Sequence, residues 1–151
     1  MWKFETLDIN EITTAFWTRL ESDPEAKSFA TTYDKGAKRH DGFENPSGTI
    51  NVLAAPIHAE TRTATVTVII NVYVDDTQEG RADFAKLGKA GNFVQRLFHR
   101  ADLPMHPEGQ IVTDNLNFKD MIAEETLFLR SEIKGEHVAS TRITCLVRRK
   151  K

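Results

Sequence analysis

The sequence predicts an α+β fold in which a largely antiparallel sheet carries two helices packed on one face. Two segments repeat apolar residues at helical spacing, and several others alternate apolar and polar residues as strands do. These segments follow in the order α-β-β-α-β-β-β, which favours separate layers of helices and strands over a parallel α/β sheet. With 151 residues, 40% of them hydrophobic, the chain is predicted to form a single α+β domain over residues 1–151.

The first predicted helix runs from about Ile9 to Leu20. Asp8 is placed to cap it, and Glu11 stands three residues later, at the spacing of a capping box. Pro24 is expected to close the segment. One apolar stripe follows the helix and is made of Ile9, Ile12, Phe16 and Leu20.

Residues 22–48 show no regular period, and we expect a long loop there. Gly36 and Gly42 interrupt it, and Asn45-Pro46-Ser47-Gly48 is a strong turn signal. Loops of this length are uncommon in compact domains and are often functional. This loop could become ordered on contact with a partner. The alternative is that residues 22–48 form a surface loop without a particular function.

Two strands are predicted before the second helix. Residues 49–55 form a short β-prone run that Pro56 ends, and residues 63–74 alternate throughout. A strand with apolar residues on one side and many polar residues on the other is typical of an antiparallel sheet that packs only one face against the core. The apolar side consists of Ala64, Val66, Val68, Ile70, Val72 and Val74.

The second predicted helix runs from Gly80 or Arg81 to about Arg100. Two glycines inside it, Gly88 and Gly91, each cost roughly 1 kcal/mol relative to alanine. We expect them to allow close approach to the sheet. The apolar stripe of this helix is Phe84, Leu87, Gly91, Val94 and Phe98.

Three strands are predicted in the last third, at about 110–118, 121–133 and 136–148. Lys134-Gly135 suits a short hairpin between the last two. Glu124 and Glu125 are neighbours in one predicted strand, so they are expected to point to opposite faces and not to act as a carboxylate pair.

The sequence contains no recognisable catalytic, cofactor-binding or metal-binding motif, and we expect a protein that is not an enzyme and has no cofactor. The five histidines lack the helical spacing of a zinc hydrolase, and the glycines do not form a phosphate-binding loop. Cys145 is the only cysteine and lies in a predicted strand, which favours a buried thiol over a nucleophile.

Charge is distributed unevenly along the chain. Residues 1–79 hold 13 acidic and 7 basic residues, whereas residues 80–151 hold 9 acidic and 13 basic residues. Surfaces of opposite charge would let copies of the chain associate head to tail. The alternative is that the two halves mix in space and form no charged poles.

The chain ends in four basic residues that are candidates for contact with a partner or with DNA phosphates: Arg148, Arg149, Lys150 and Lys151. The alternative is a solvated end that protects an edge strand. Aromatic residues are not interleaved with basic ones, so sequence-specific recognition of nucleic acid is not expected. No stretch approaches the ~20 apolar residues of a membrane span, and the N-terminal residues do not resemble a secretory signal.

The order and texture of these segments resemble the small ring-forming proteins at the head–tail junction of long-tailed phages, the tail terminator or tail-completion group. The resemblance covers most of the chain. The segments that carry it are the helix ending at Leu20-Glu21-Ser22-Asp23, the long loop, the short strand Ile50-Asn51-Val52-Leu53, the long strand 66–74, the helix 84–98 and the last strand 141–147.

This resemblance implies a ring, usually of six subunits, stacked on the last turn of the tail tube. The ring would stop tube growth and offer a surface to the head connector. Its partners would be other copies of the chain, the tail tube protein and the head connector proteins. DNA would pass close by without being recognised by sequence. The protein would be assembled in the host cytoplasm and would reside in the virion, with no membrane partner.

Two other functions stay open on the sequence alone. One is a small-molecule-binding or enzymatic α+β domain with a pocket between sheet and helices. The other is a cytoplasmic adaptor that contacts nucleic acid through its basic tail.

Overall fold

The structure is a computed structural model that describes residues 6–54, 57–58 and 60–150. These residues form α1 (Ile9–Glu21), α2 (Ala26–Phe29), β1 (Tyr33–Lys35), β2 (Ser47–Ala54), β3 (Thr63–Asp75), α3 (Phe84–Phe98), β4 (Leu116–Arg130) and β5 (Glu136–Arg149). The strands make one sheet in the order β1-β2-β3-β5-β4. β1 pairs with β2 in parallel, and the other pairs are antiparallel. The predicted α+β class with a largely antiparallel sheet is confirmed.

The two long helices, α1 and α3, pack on the same face of the sheet. The rings of Phe16 in α1 and Phe98 in α3 lie 5.1 Å apart at their centroids. Beneath them β3 presents the face that alternation predicts, with all six of its residues buried: Ala64, Val66, Val68, Ile70, Val72 and Val74. Full burial of a large apolar side chain contributes roughly 1.5–3 kcal/mol, so this layer supplies much of the driving force for folding.

α1 begins where the sequence predicts, but Glu11 has a different role from the one expected. The Asp8 carboxylate accepts a hydrogen bond from the backbone N–H of Asn10 at 3.0 Å and caps the helix. The Glu11 carboxylate accepts a hydrogen bond from the Arg149 side chain at 2.7 Å. A charge-assisted bond is stronger than one to a neutral amide, so Arg149 draws Glu11 toward β5.

α3 begins at Phe84, later than the predicted start at Gly80 or Arg81. Gly80 has a φ of 77°, which the interior of a right-handed helix does not contain. The Asp83 carboxylate then accepts a hydrogen bond from the backbone N–H of Lys86 at 3.1 Å. Asp83 is therefore the cap that sets the first turn.

The two glycines inside α3 differ. A Cβ on Gly91 would lie only 2.7 Å from Cγ2 of Thr126 in β4, so Gly91 allows the close approach that we expected. Nothing lies within 4 Å of the corresponding position on Gly88. The prediction of a close approach is therefore wrong for Gly88, which lies on a half-buried side of the helix.

The prediction of two strands at 110–118 and 121–133 is wrong, because the single strand β4 crosses the expected break. The Asp102 carboxylate accepts hydrogen bonds from the backbone N–H groups of Asp120 and Met121, at 3.1 and 3.2 Å. Asp120 takes a φ of 52° at this point. This anchored irregularity forms a bulge, so the strand continues past it and no turn forms.

The predicted loop at 22–48 contains two short elements, α2 and β1. The Tyr33 hydroxyl donates a hydrogen bond to the carbonyl of Ala26 at 2.8 Å and joins them. Elements of three and four residues are too short to show a period, which is why the sequence pattern misses them. β2 begins at Ser47, and Ala55, its predicted last residue, lies outside the described residues.

Candidate functional site

The sheet face opposite α1 and α3 is called here the open face. On β3 it carries the side chains that alternate with the buried ones, and these are exposed or half-buried: Thr63, Thr65, Thr67, Ile69, Asn71 and Tyr73. In the described part of the chain, both long helices lie on the other side. The open face is therefore accessible to a partner.

Residues 36–46, called the docked loop, cross one end of the open face and are held there by Arg39. The Arg39 guanidinium lies 3.7 Å from the ring centroid of Tyr73 and 3.8 Å from that of Phe43. It also forms an ion pair with Glu136, with Nη1 donating to Oε2 at 3.0 Å. The side chains of Arg39 and Glu136 are only 7% and 2% exposed. The Arg39 side chain therefore anchors the docked loop to the sheet.

Asn45 completes the anchor. Its side-chain amide donates hydrogen bonds to the carboxylates of Asp75 and Glu136, both at 2.6 Å. Burial by itself raises the pKa of Glu136. Hydrogen bonds from Arg39, Asn45 and Ser131 outweigh this effect and hold the pKa below its ordinary value. Glu136 is thus an ionised carboxylate fixed among donors, which is the environment of a structural ion pair.

A groove of about 720 Å³ runs between the docked loop and the β4–β5 hairpin. Apolar side chains from three strands form part of its floor, among them Ile69, Leu129 and Val138. Its walls come from loop residues 37–43 and hairpin residues 130–133. The groove is open to solvent and suits an extended segment of a partner better than an enclosed small molecule.

The two ends of the sheet differ in charge balance. The end where β3 stops and β5 starts has Glu44, Asp75, Asp76, Glu79, Asp83, Glu132 and Glu136 in its strands and adjoining segments, beside the basic residues Arg39, Arg81, Arg130 and Lys134. The other end has Arg62, Lys119, Arg148, Arg149 and Lys150, beside the acidic residues Glu11, Asp114 and Asp120. The charge separation runs along the strands and does not follow the two halves of the sequence, because β3 from the first half lies beside β5 from the second.

The four basic residues singled out from the sequence have different environments. Arg149 donates to Glu11 of α1, and the Lys150 ammonium donates to the carbonyl of Thr113 at 2.7 Å. Arg148 lies in β5 opposite Thr63 and is exposed. Lys151 lies outside the described residues. Of the three described residues, Arg148 alone points its charge to the open face.

Two other basic residues, Arg62 and Lys119, lie beside Arg148. They line a shallow depression of about 360 Å³ together with Thr63 and Leu146. The sequence pattern did not identify this group, because Arg62, Lys119 and Arg148 are far apart in the chain. The pairing of β4 with β5 brings Lys119 and Arg148 together, and Arg62 directly precedes Thr63, the partner of Arg148 in β3.

Glu124 and Glu125 point to the same face, so the prediction that they point to opposite faces is wrong. Glu124 accepts a hydrogen bond from the Thr144 hydroxyl at 3.0 Å. Glu125 lies 3.9 Å from the guanidinium of Arg142. Thr144 and Arg142 both lie on the open face. The bulge between Ala123 and Glu125 inserts one residue and cancels the alternation.

β4 is an edge strand, and its two halves are protected differently. At the first half, the backbone N–H of Arg100 donates to the carbonyl of Met121 at 2.7 Å, and that of Ala123 donates to Nδ1 of His99 at 3.2 Å. The described residues supply no such hydrogen bond to the outer edge of residues 125–130. The apolar side chains there are exposed: Leu127 by 50%, Phe128 by 43% and Leu129 by 44%. An apolar edge of this kind is a template for association.

Two histidines of the described residues lie within hydrogen-bond distance of carboxylates. Nδ1 of His40 lies 2.7 Å from Asp34, and Nδ1 of His137 lies 2.6 Å from Asp76. Within the described residues, no three side chains are arranged to hold a metal ion. Cys145 is buried as predicted, and burial, with the negative charge of Asp102, raises the pKa of its thiol to about 12.

The helices of residues 6–54, 57–58 and 60–150 are all too short or too polar to span a membrane.

Comparison with known proteins gives a likeness of fold. No protein-family model and no curated protein sequence matches this chain. Among solved structures, a chain from the "Virion of native gene transfer agent (GTA) particle" matches with a TM-score of 0.63 at 16% sequence identity. The match covers 91% of this chain and 94% of that chain. The two chains therefore share a fold over nearly their whole length.

Proposed function

We propose that the protein is a structural component of a phage-like virion and acts at the head–tail junction. There a ring of identical subunits would end the tail tube and join it to the neck. The observation that carries this proposal is the fold shared with a chain of a gene transfer agent particle over about nine-tenths of both chains. Such coverage means that the likeness extends over the whole fold and is not limited to a small motif.

The surface of the chain suits a ring. A closed ring needs two different patches that fit each other on neighbouring subunits. The acidic and basic ends of the sheet are two such patches, and their opposite charges favour a head-to-tail contact. The exposed apolar half of β4 adds an edge that a neighbouring copy can cover. These features support ring assembly through this sheet.

A role in assembly accounts for the core better than ligand binding does. Large side chains fill the layer between helices and sheet, among them Phe16, Phe93, Phe98, Leu97 and Ile70. A small-molecule function would use a pocket in that layer. The grooves described above lie on the surface instead, where another protein can reach them. The tail tube protein and the head connector proteins are the partners that we propose, with the virion as the final location.

The solution mass of the chain, measured by light scattering with and without its tail tube protein, tests the proposal. We expect a discrete ring-sized oligomer, formed alone or when tube protein is added. A chain that stays monomeric at every concentration and does not bind tube protein would contradict the proposal.

A pair of variants sharpens this experiment. Leu127→Lys with Leu129→Lys places two charges on the free edge of β4, and we expect it to prevent ring formation while the fold persists. Leu53→Lys is the control, because Leu53 is exposed to a similar extent, 51%, but lies on β2. Equal loss of assembly in both variants would show that the β4 edge is not the contact.

A further inference from the structure

We infer that residues 110–113 of one copy pair as a β-strand with the free edge of β4, residues 125–130, in the next copy. This inference rests on the proposed ring, because it names the segment of the neighbouring chain that covers the exposed edge. The contact would consist of backbone hydrogen bonds between the two segments, with apolar side chains packed beside them.

Residues 110–113 have the composition of a strand but do not form one within the chain. Ile111, Val112 and Thr113 are β-branched, and such residues favour strands. The sequence predicts a strand from about residue 110, whereas β4 begins at Leu116. The segment lies outside the helices and strands of the described chain. Its strand propensity is therefore not used by the single chain.

Only alternate residues of this segment are anchored through their backbone. The backbone N–H of Ile111 donates to the carbonyl of Ala101 at 2.9 Å, and the Lys150 ammonium donates to the carbonyl of Thr113 at 2.7 Å. Within the described residues, the backbone groups of Gln110 and Val112 have no hydrogen-bond partner. Such alternation is typical of an edge strand, because successive residues direct their backbone groups to opposite sides.

A groove of about 670 Å³ leaves room beside the segment. Residues 110–116 form one wall of the groove, and Asn10, Thr14 and Thr18 of α1 belong to the other. The side chain of Val112 is 66% exposed. The described chain leaves this space unfilled, so a strand from another copy can approach the unpaired backbone groups.

The free edge of β4 has the complementary properties. Its outer side lacks backbone hydrogen bonds from the described residues between positions 125 and 130. Leu127 and Leu129 are exposed on the open face, and Phe128 is exposed on the helix side, where its ring centroid lies 6.0 Å from that of Phe84. An added strand would therefore find unpaired backbone groups between two apolar surfaces.

One chain cannot pair these two segments with each other. The carbonyl of Asn115 accepts from the backbone N–H of Lys150, just past the end of β5, whereas residues 125–130 pair with residues 137–142 at its start. The eight positions from residue 142 to residue 150 correspond to about 26 Å along a strand. The pairing must join two copies. Because the two segments differ, the contact is heterologous and can close a ring.

Pairing of two β4 edges with each other is the competing arrangement, and the structure favours it less. It joins two identical edges in a closed dimer and does not extend to a ring. It also leaves the backbone groups of Gln110 and Val112 without partners. Pairing with residues 110–113 satisfies both unpaired segments at once.

Disulfide formation between two variants tests the pairing. Val112→Cys, tagged so that its chain differs in mass, is mixed with Leu127→Cys, Phe128→Cys or Leu129→Cys under conditions in which the wild type assembles. Directly opposite residues of paired strands have Cα atoms about 4.5–5.5 Å apart, which a disulfide can span. We expect at least one mixture to give roughly tenfold more mixed dimer than the control. The control is Val112→Cys with Leu53→Cys, because Leu53 is 51% exposed but lies on β2.

Val112→Pro tests the backbone contact without adding a charge. Proline removes the N–H of residue 112, which has no partner within the described chain. We expect the concentration at half assembly to rise roughly tenfold. Val112→Ala keeps the N–H and should raise that concentration less. Thermal denaturation followed by circular dichroism would verify that both variants keep the fold.

Three outcomes would contradict the inference in different ways. A ring that forms without Val112 cross-links, or that forms in Val112→Pro at the wild-type concentration, would overturn this contact and leave the proposed ring intact. Cross-links within a single β4 variant, in place of the mixed ones, would overturn it in favour of paired β4 edges. A chain that stays monomeric and does not bind tube protein would contradict the ring itself and this contact with it.

Discussion

Arg39 and Glu136 form a buried ion pair that joins the docked loop to the first residue of β5. Nη1 of Arg39 donates to Oε2 of Glu136 at 3.0 Å, and both side chains are more than nine-tenths buried. Tyr73 and Phe43 lie against the guanidinium at 3.7 and 3.8 Å. A buried pair of this kind is costly to break, because the remaining charge is left without a partner.

Arg39→Ala tests this pair directly. We expect it to lower the free energy of unfolding by about 3–5 kcal/mol, the range for removing one member of a buried ion pair. Chemical denaturation would measure the change. Lys38→Ala is the control, since Lys38 is exposed on the same loop and should change stability by no more than about 0.5 kcal/mol. Similar losses in both variants would show that the pair does not anchor the loop.

Stability should fall in acid through Glu136. Its pKa is lower in the folded chain than the ordinary value of 4.5, so the unfolded chain takes up the proton at higher pH. The stabilisation is therefore fully present above the ordinary pKa and is lost as the pH falls through the folded value. Urea denaturation from about pH 7 down to about pH 3 should show a steeper loss in the wild type than in Glu136→Gln. Parallel curves would contradict this assignment.

Gly91→Ala and Gly88→Ala should change stability in opposite directions. A Cβ on residue 91 would overlap Thr126, whose hydroxyl is held by Gln95 at 3.1 Å and by Thr141 at 2.8 Å. The overlap should cost about 1–3 kcal/mol, more than the gain in helix propensity. At Gly88 the space is open, and alanine should stabilise the helix by up to about 1 kcal/mol. Thermal denaturation of the two variants would compare them, and stabilisation by both would show that α3 is not in tight contact with β4.

Cys145 should react slowly with thiol reagents in the folded protein. It is 2% exposed, and its raised pKa of about 12 leaves almost no thiolate at neutral pH. Labelling with iodoacetamide near pH 8, followed by mass spectrometry, would measure the rate. The same chain in urea is the control and should react at the rate of a free cysteine. Fast labelling of the native chain would mean that β5 opens readily.

The sequence by itself determined the fold class, the two long helices and the buried face of β3. Each of these follows from a period in the chain. The stripe Ile9, Ile12, Phe16 and Leu20 and the alternation from Ala64 to Val74 are read from neighbouring positions, and these apolar positions are buried in the fold except Ile9, which is 45% exposed. Helix and strand periods predict which residues are buried because each element packs its apolar side against one core.

Only the tertiary structure determined which side chains lie next to each other at the surface. The pairing of Arg39 with Glu136 and the grouping of Arg62, Lys119 and Arg148 depend on contacts between distant parts of the chain. No local pattern encodes them. The bulge of β4 at Asp120 also depends on a residue from another part of the chain. The Asp102 carboxylate accepts a hydrogen bond from the backbone N–H of Asp120, and the strand continues where the sequence predicted a break. Local periods specify which side of an element is buried, whereas strand register and side-chain anchors specify which exposed residues come together.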